Sequence, residues 1–290
     1  SQFVPREARS RLVAVPLVLL NVRRASGVDD PAFDPFRLRE RQLNTRLHRR
    51  GERTDARFVA EGDLVVMRAI GAGHVPELVV CDEAALPMIE GLGDRLGDAE
   101  VVLADEPTRK TATGLGVALS IAALFPKPPL VDVTTLITRH QRIAVLAQVD
   151  NPTNVGAIVR SAAAFGFTGI VLDGESSDPY ARRALRVAMG TTFGLDISRI
   201  NDALSFIDAL HHAGFESYAM TPGPEARDLS TIEPHERTAL ILGSERDGLP
   251  DDWMQAATHK VRIPMAAGVD SLNVAAAAAV ACYGLTRRNG

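Results

Sequence analysis

Cysteine is nearly absent: Cys81 and Cys282 are the only two among 290 residues. They have no short-range pairing and no metal-ligand spacing, so neither a disulfide framework nor a metal centre is expected, and a reducing, cytoplasmic setting fits. Lysine is almost as scarce, since of 32 basic residues only Lys110, Lys127 and Lys260 are lysine. The arginine excess sits beside abundant alanine and valine, a bias that a GC-rich genome also produces. Arginine content alone is therefore poor evidence for nucleic acid. Long apolar runs are missing too. Residues 12–20 follow Arg6, Arg9 and Arg11 in the manner of a signal peptide, but Pro16 interrupts them and no small-residue cleavage site follows. The patch is too short to cross a bilayer, so neither targeting nor a membrane partner is expected. No G-x-G-x-x-G turn follows the first strand of the C-terminal half, which disfavours a nucleotide-binding oxidoreductase. A Walker sequence, zinc spacing and a nucleophile-elbow serine are equally missing.

What is present supports a folded chain of two modest domains, with 46% hydrophobic residues to build the cores. The net charge of −4 argues mildly against non-specific nucleic-acid binding. Its distribution says otherwise. Residues 1–60 carry 13 arginines and 7 acids, net +6, which leaves −10 for the rest. A basic N-terminal part is where an RNA contact belongs.

Residues 1–30 fit no globular pattern and read as an extension or a strand-forming arm. Residues 34–50 read as one helix with Phe36, Leu43 and Leu47 on one side. Arg37, Arg39, Arg41, Arg46, Arg49 and Arg50 occupy much of the remainder, either as a solvated face or as phosphate contacts. Strands at 58–60, 77–81, 100–104 and 116–124 alternate with helices at 61–72, at 83–96 and from 105 onward, which gives a small α/β domain over residues 31–125. Three prolines within 126–129 mark a linker, taken as 126–141. In the second domain, 142–290, strands are expected at 143–149, 169–172, 217–220, 239–242 and 261–263. Helices are expected at 155–165, 180–189, 202–213 and 272–286. His211 and His212 read as surface or helix-end residues.

Three strand-to-loop junctions carry the polar groups. The first is Asn151-Pro152-Thr153-Asn154-Val155-Gly156, opening a helix that reaches Arg160. Six positions separate Asn154 from Arg160, less than two turns, so the two need not share a face. The second is Gly243-Ser244-Glu245-Arg246-Asp247-Gly248. In the third, Ile263-Pro264-Met265 leads through Gly268 to Ser271-Leu272-Asn273 and a helix of alanines. Each has a bland reading as helix cap, loop acid or core packing. Together they converge at one edge of an α/β sheet, where such sheets bind ligands.

These three motifs, in this order, resemble the SpoU (TrmH-type) RNA ribose 2′-O-methyltransferases of the SPOUT superfamily. The resemblance covers about 142–288, and Arg57-Phe58-Val59-Ala60-Glu61-Gly62 is similar to the substrate-binding domain that often precedes that catalytic domain. It implies a knotted C-terminal methyltransferase domain and a smaller N-terminal α/β domain of the ribosomal-protein-L30-like fold. It further implies S-adenosylmethionine as cofactor, structured RNA as substrate (ribosomal more than transfer RNA), and a homodimer in which Arg160 can serve the partner's site. By the same resemblance Met220, Thr221, Gly243, Ile263, Met265 and Leu272 bind the cofactor, while Asn154, Arg160, Glu245, Ser271 and Asn273 are catalytic. Arg246 departs from the family, which often has glycine there.

Methylating a ribose hydroxyl is an in-line displacement, and correct placement alone is worth roughly 7–11 kcal/mol. A protonated guanidinium has no acceptor lone pair, so Arg160 suits a phosphate clamp or alkoxide stabiliser better than a base. Transfer RNA as substrate is the nearest rival. A non-catalytic RNA-binding or ribosome-assembly factor that keeps the fold is the rival from another class.

Overall fold

The computed structural model describes residues 20–44, 55–114, 119–266, 268–269 and 271–286. Arg46, Arg49, Arg50 and Leu47 lie outside them, as do residues 1–19. The first domain is a five-stranded mixed sheet built from β1 (Asn21–Arg24), β2 (Arg57–Glu61), β3 (Leu78–Cys81), β4 (Glu100–Leu103) and β5 (Ile121–Pro126) in the order β1-β4-β3-β5-β2. Residues 21–24 thus form an edge strand, parallel to β4. Arg23 fastens it by a two-pronged contact with Asp30, at 2.6 and 2.9 Å.

The second domain is an all-parallel sheet of seven strands. These are β6 (Arg142–Leu146), β7 (Gly169–Leu172), β8 (Asp196–Arg199), β9 (Glu216–Met220), β10 (Arg227–Asp228), β11 (Thr238–Leu242) and β12 (His259–Arg262), in the order β10-β12-β9-β11-β6-β7-β8. Parallel sheets are covered on both faces, which is why β6 and β11 read as nearly unbroken apolar runs. Alternate residues feed two cores. Ala144, Leu146, Leu240 and Leu242 face the helices Pro152–Ala164 and Val274–Gly284, in a core that continues into the first domain. Ile143, Val145, Ala239 and Ile241 face the helices Val133–Arg139, Ala203–His212 and Asp251–Ala256.

Several expected elements differ. The single helix over 34–50 is two short helices, Asp34–Arg37 and Glu40–Leu43, because Leu38 and Arg39 adopt extended backbone between them. The cause lies far along the chain. The Arg182 guanidinium donates to the carbonyls of Phe36 (2.7 Å), Pro35 (3.1 Å) and Leu38 (3.4 Å), and its backbone N–H donates to Glu40 Oε1 (2.9 Å). A guanidinium offers donors to the carbonyls that a helix end leaves open, so it stabilises the break. The helix expected from 61 begins at Asp63, after Gly62 at φ +89, and its Leu64 is exposed. The helix over 83–96 splits into Leu86–Glu90 and a 3₁₀ turn Gly93–Leu96. Within 126–141, Pro126 ends β5 and Val133–Arg139 is a helix whose Leu136 and Ile137 are buried in the second core. The helix over 180–189 is confined to Arg182–Val187, and the final helix starts at Val274, not 272.

The domains meet through aromatic and charged contacts. Phe58 stacks on Phe125 and packs against Tyr180 and Phe193 of the second domain. The buried Glu61 carboxylate lies 3.5 Å from Arg182 and 3.2 Å from Arg186. Burial pushes its pKa above the usual carboxylate value, and the two guanidiniums oppose that rise.

Candidate active site

Because the second sheet is wholly parallel, the loops after β6, β9, β11 and β12 all leave by one edge. β6 and β11 are neighbours at the point where the strand order reverses, the usual crevice for a ligand in such sheets. The loop after β6 enters the Pro152–Ala164 helix, whose cap is Asn151: its side chain accepts from the Thr153 N–H at 2.9 Å. Asn154 is thereby left free of capping and sits buried in the first turn, at 6% exposure.

Asn273 joins the three loops. Its Oδ1 caps the final helix by accepting from the backbone N–H groups of Ala275 (2.9 Å) and Ala276 (3.3 Å). Its Nδ2 donates to Asn154 Oδ1 at 3.1 Å and to Glu245 Oε1. A side-chain amide has two N–H donors and one oxygen, and all are engaged here. Asn154, Glu245 and Asn273 thus form one hydrogen-bonded chain across the three motifs.

The loop after β11 is a tight turn. Ser244 and Gly248 exchange backbone hydrogen bonds at 3.0 and 3.2 Å, and Gly248 has φ +70. A Cβ on Gly243 would stand 2.4 Å from the Gly248 carbonyl, so only glycine fits the return of the chain. Arg246 needs no such freedom, because the only non-glycine residues with positive φ among the described residues are Gln148 and Met189. Its exposed side chain therefore sits in the turn without backbone strain.

A cavity of about 610 Å³ opens among these loops. Met220, Thr221, Gly243, Ile263, Met265 and Leu272 all line it, together with Glu245 and Ser271. Its size falls in the range of small-molecule sites. Four acids (Glu225, Glu245, Asp247 and Asp251) line it against Arg246 alone, so its charge suits a cationic ligand. A second cavity of about 400 Å³ shares Ser244, Glu245, Arg246, Asp247 and Val274 with it and reaches Asn154 and Asp150.

Arg160 is not brought to either cavity of its own chain. It is exposed and lines a separate groove between the domains, with Leu64 and Arg68. Of the arginines expected at an RNA surface, Arg37 pairs with Asp34 at 3.2 Å and donates to the Val28 carbonyl, while Arg41 is exposed.

A family description, SpoU rRNA Methylase family, matches residues 141–283. An uncharacterised tRNA/rRNA methyltransferase of Mycobacterium tuberculosis is 32% identical over 273 residues, covering 92% of this chain and 93% of that one. The chain belongs to the SpoU rRNA methylase family. Another relative of this SpoU protein, a 23S rRNA guanosine 2′-O-methyltransferase of Bacillus subtilis, is 28% identical and covers 83% of this chain and 93% of its own. The AdoMet-bound rRNA methyltransferase of Sinorhizobium meliloti matches in structure, with a TM-score of 0.77 at 26% identity over 91% of this chain and 97% of that one. The SpoU methyltransferase domain is thus the C-terminal α/β unit described above.

Some features of this SpoU protein gave no sequence signal. Gln148 lines the second cavity in a left-handed conformation, its N–H donating to Asp173 at 2.9 Å. Only glycine or asparagine commonly marks such a position. The contacts of Glu61 with Arg182 and Arg186, and the placing of Arg68 in the groove with Arg160, join residues more than 90 positions apart.

Proposed function

We propose that this SpoU protein transfers a methyl group from S-adenosylmethionine to a ribose 2′-OH of structured RNA, ribosomal rather than transfer RNA. The observation that carries this is the gathering of Met220, Thr221, Gly243, Ile263, Met265 and Leu272 on one cavity beside the linked Asn154, Asn273 and Glu245. The cavity fits the cofactor: apolar walls from Met220, Leu242, Ile263 and Leu272 suit an adenine, and the four acids suit a sulfonium and an amino group. The bound cofactor supplies an electrophilic methyl group. The chain supplies placement. Gly243 lets the turn close against the ligand's edge, and Asn273 holds Glu245 and Asn154 at fixed separation. One oxygen of Glu245 is taken by Asn273, and the other has no partner among the described residues, which leaves it an acceptor for a hydroxyl proton. The names of the Bacillus and Sinorhizobium relatives favour ribosomal RNA.

The reading includes a homodimer. Val280 and Tyr283 are exposed on the final helix, and Phe165 packs beside Tyr283 at the end of the helix that carries Arg160. That surface suits a two-fold contact, and Arg160, distant from its own cavity, then serves the partner's. The reading also includes a knotted second domain, which membership of the SpoU family supports, and a ribosomal-protein-L30-like first domain, which its mixed five-stranded sheet supports.

The test incubates the protein with radiolabelled S-adenosylmethionine and ribosomal RNA from a strain lacking it, then digests the RNA to nucleosides. A labelled 2′-O-methyl nucleoside is expected. Label on a base would overturn the reaction assigned. RNA binding without transfer would leave a non-catalytic factor.

A further inference from the structure

A groove of about 340 Å³ runs between the two domains. The first domain contributes Leu64 and Arg68, and the second contributes Arg160, Ala163, Met189 and Thr191. No carboxylate lines it, although residues 61–290 carry a net charge of −10. Two guanidiniums on an otherwise uncharged wall make a local exception in an acidic stretch of chain.

The position of Arg68 is built by the opposite wall. Its Nη1 donates to the Met189 carbonyl over 2.6 Å. Met189 adopts φ +54, an uncommon conformation for a residue with a side chain, and Gly190 follows at φ +75. A Cβ on Gly190 would stand 3.2 Å from Arg68 Cβ and 3.3 Å from its Cδ. Glycine therefore lets the arginine stem lie flat on the turn, while the left-handed Met189 presents its carbonyl to the guanidinium. That one hydrogen bond fixes the fork and leaves its remaining N–H groups for a ligand. Arg160 makes no side-chain hydrogen bond or ion pair with a described residue. Leu64 and Met189 are 43% and 37% exposed, apolar surface beside the two charges.

A planar fork held in place with no carboxylate beside it suits a phosphate, and apolar surface next to it suits a ribose or base. We infer that the groove holds the RNA backbone next to the methylated nucleotide, with Arg68 contacting a phosphate and Leu64 and Met189 lying against the adjoining nucleoside. This rests on the RNA methyltransferase reading above and deepens it. The first domain then does more than tether RNA: through Arg68 it sets the path of the strand past Arg160.

The test uses the full chain and ribosomal RNA from a strain lacking the protein. Filter binding across a range of potassium chloride gives the slope of log affinity against log salt. Arg68→Gln should reduce the magnitude of that slope by about 0.7–0.9, the loss of one phosphate contact. Arg68→Lys should keep most of it. The comparison is Arg95→Gln, which removes an exposed arginine elsewhere in the first domain. Calorimetric affinity for S-adenosylmethionine should be unchanged in all three.

A second measurement does not depend on Arg68. Both native thiols are buried, so Leu64→Cys can be labelled alone with an azidophenacyl photocrosslinker. Labelled protein should crosslink to the RNA, and Met88→Cys, on an exposed site of the same domain, should not. If Arg68→Gln matches Arg95→Gln in slope and Leu64→Cys crosslinks no better than Met88→Cys, the groove assignment is wrong while the methyltransferase reading stands. If the unaltered protein binds S-adenosylmethionine but no ribosomal RNA, both fail.

Discussion

Asn273 donates to the Oδ1 of Asn154 over 3.1 Å, across 119 residues of chain. The same nitrogen donates to Glu245, and the same side chain caps a helix. Capping and bridging can be separated by mutation. Aspartate caps a helix as well as asparagine does, but it cannot donate a hydrogen bond and sets a second carboxylate against Glu245. Asn273→Asp is expected to keep thermal stability within about 1 kcal/mol while methyl transfer falls on the order of a hundredfold. Asn273→Ala should lose both. Paired melting curves and transfer assays decide it; an active Asn273→Asp protein would show that the bridge is dispensable.

Gly243→Ala tests the turn. The added Cβ would meet the Gly248 carbonyl at 2.4 Å, so the loop must shift. Calorimetry should show S-adenosylmethionine affinity reduced at least tenfold, about 1.4 kcal/mol, with the first domain's unfolding unchanged.

Arg182→Ala removes a nearly buried guanidinium and leaves the Glu61 carboxylate, 2% exposed, with only Arg186. It also uncovers the carbonyls of Pro35, Phe36 and Leu38. Breaking a buried pair from one side costs about 3–5 kcal/mol. Urea unfolding should show a loss of that size.

Asp30 gives a pH test. The Arg23 guanidinium and the N–H groups of Ser26 and Ala32 hold its carboxyl well below the usual range. A depressed folded value means stability that is present above the unfolded pKa of about 4 and lost as pH falls below it. Asp30→Asn should cost about 1–3 kcal/mol at pH 7, and the gap between variant and parent should narrow between pH 5 and pH 2.

Subunit mixing tests the shared site. Arg160→Ala and Gly243→Trp proteins, each expected to be inactive alone, should regain some activity on exchange if Arg160 serves the partner's cavity. Exchange without activity would place Arg160 in its own chain, and a monomer by light scattering would remove the shared site.

How far the sequence could be read depended on the range of the interaction. β6 and β11 were plain as apolar runs because burial on both faces leaves little choice of residue. The cavity was legible through the second and third motifs, whose glycine and asparagine positions answer to local backbone needs, whereas the first motif reaches only the smaller cavity. The single helix expected over 34–50 failed for a distant reason, since nothing between Phe36 and Leu43 announces Arg182. β8 escaped notice because only Ile197 and Ser198 of its four residues are buried. Spacing indicated only that Asn154 and Arg160 need not share a face of their helix, and which neighbour each would meet was not written in the period.

The three linked residues occur in chain order as 154, 245 and 273, and the one that ties the others comes last. A nascent polypeptide can therefore complete β6 and β11 and still present two unconnected loops. Only when residue 273 has emerged and the final helix has docked can the hydrogen-bonded chain close. The link between the three motifs is therefore among the last contacts of the second domain to form during synthesis.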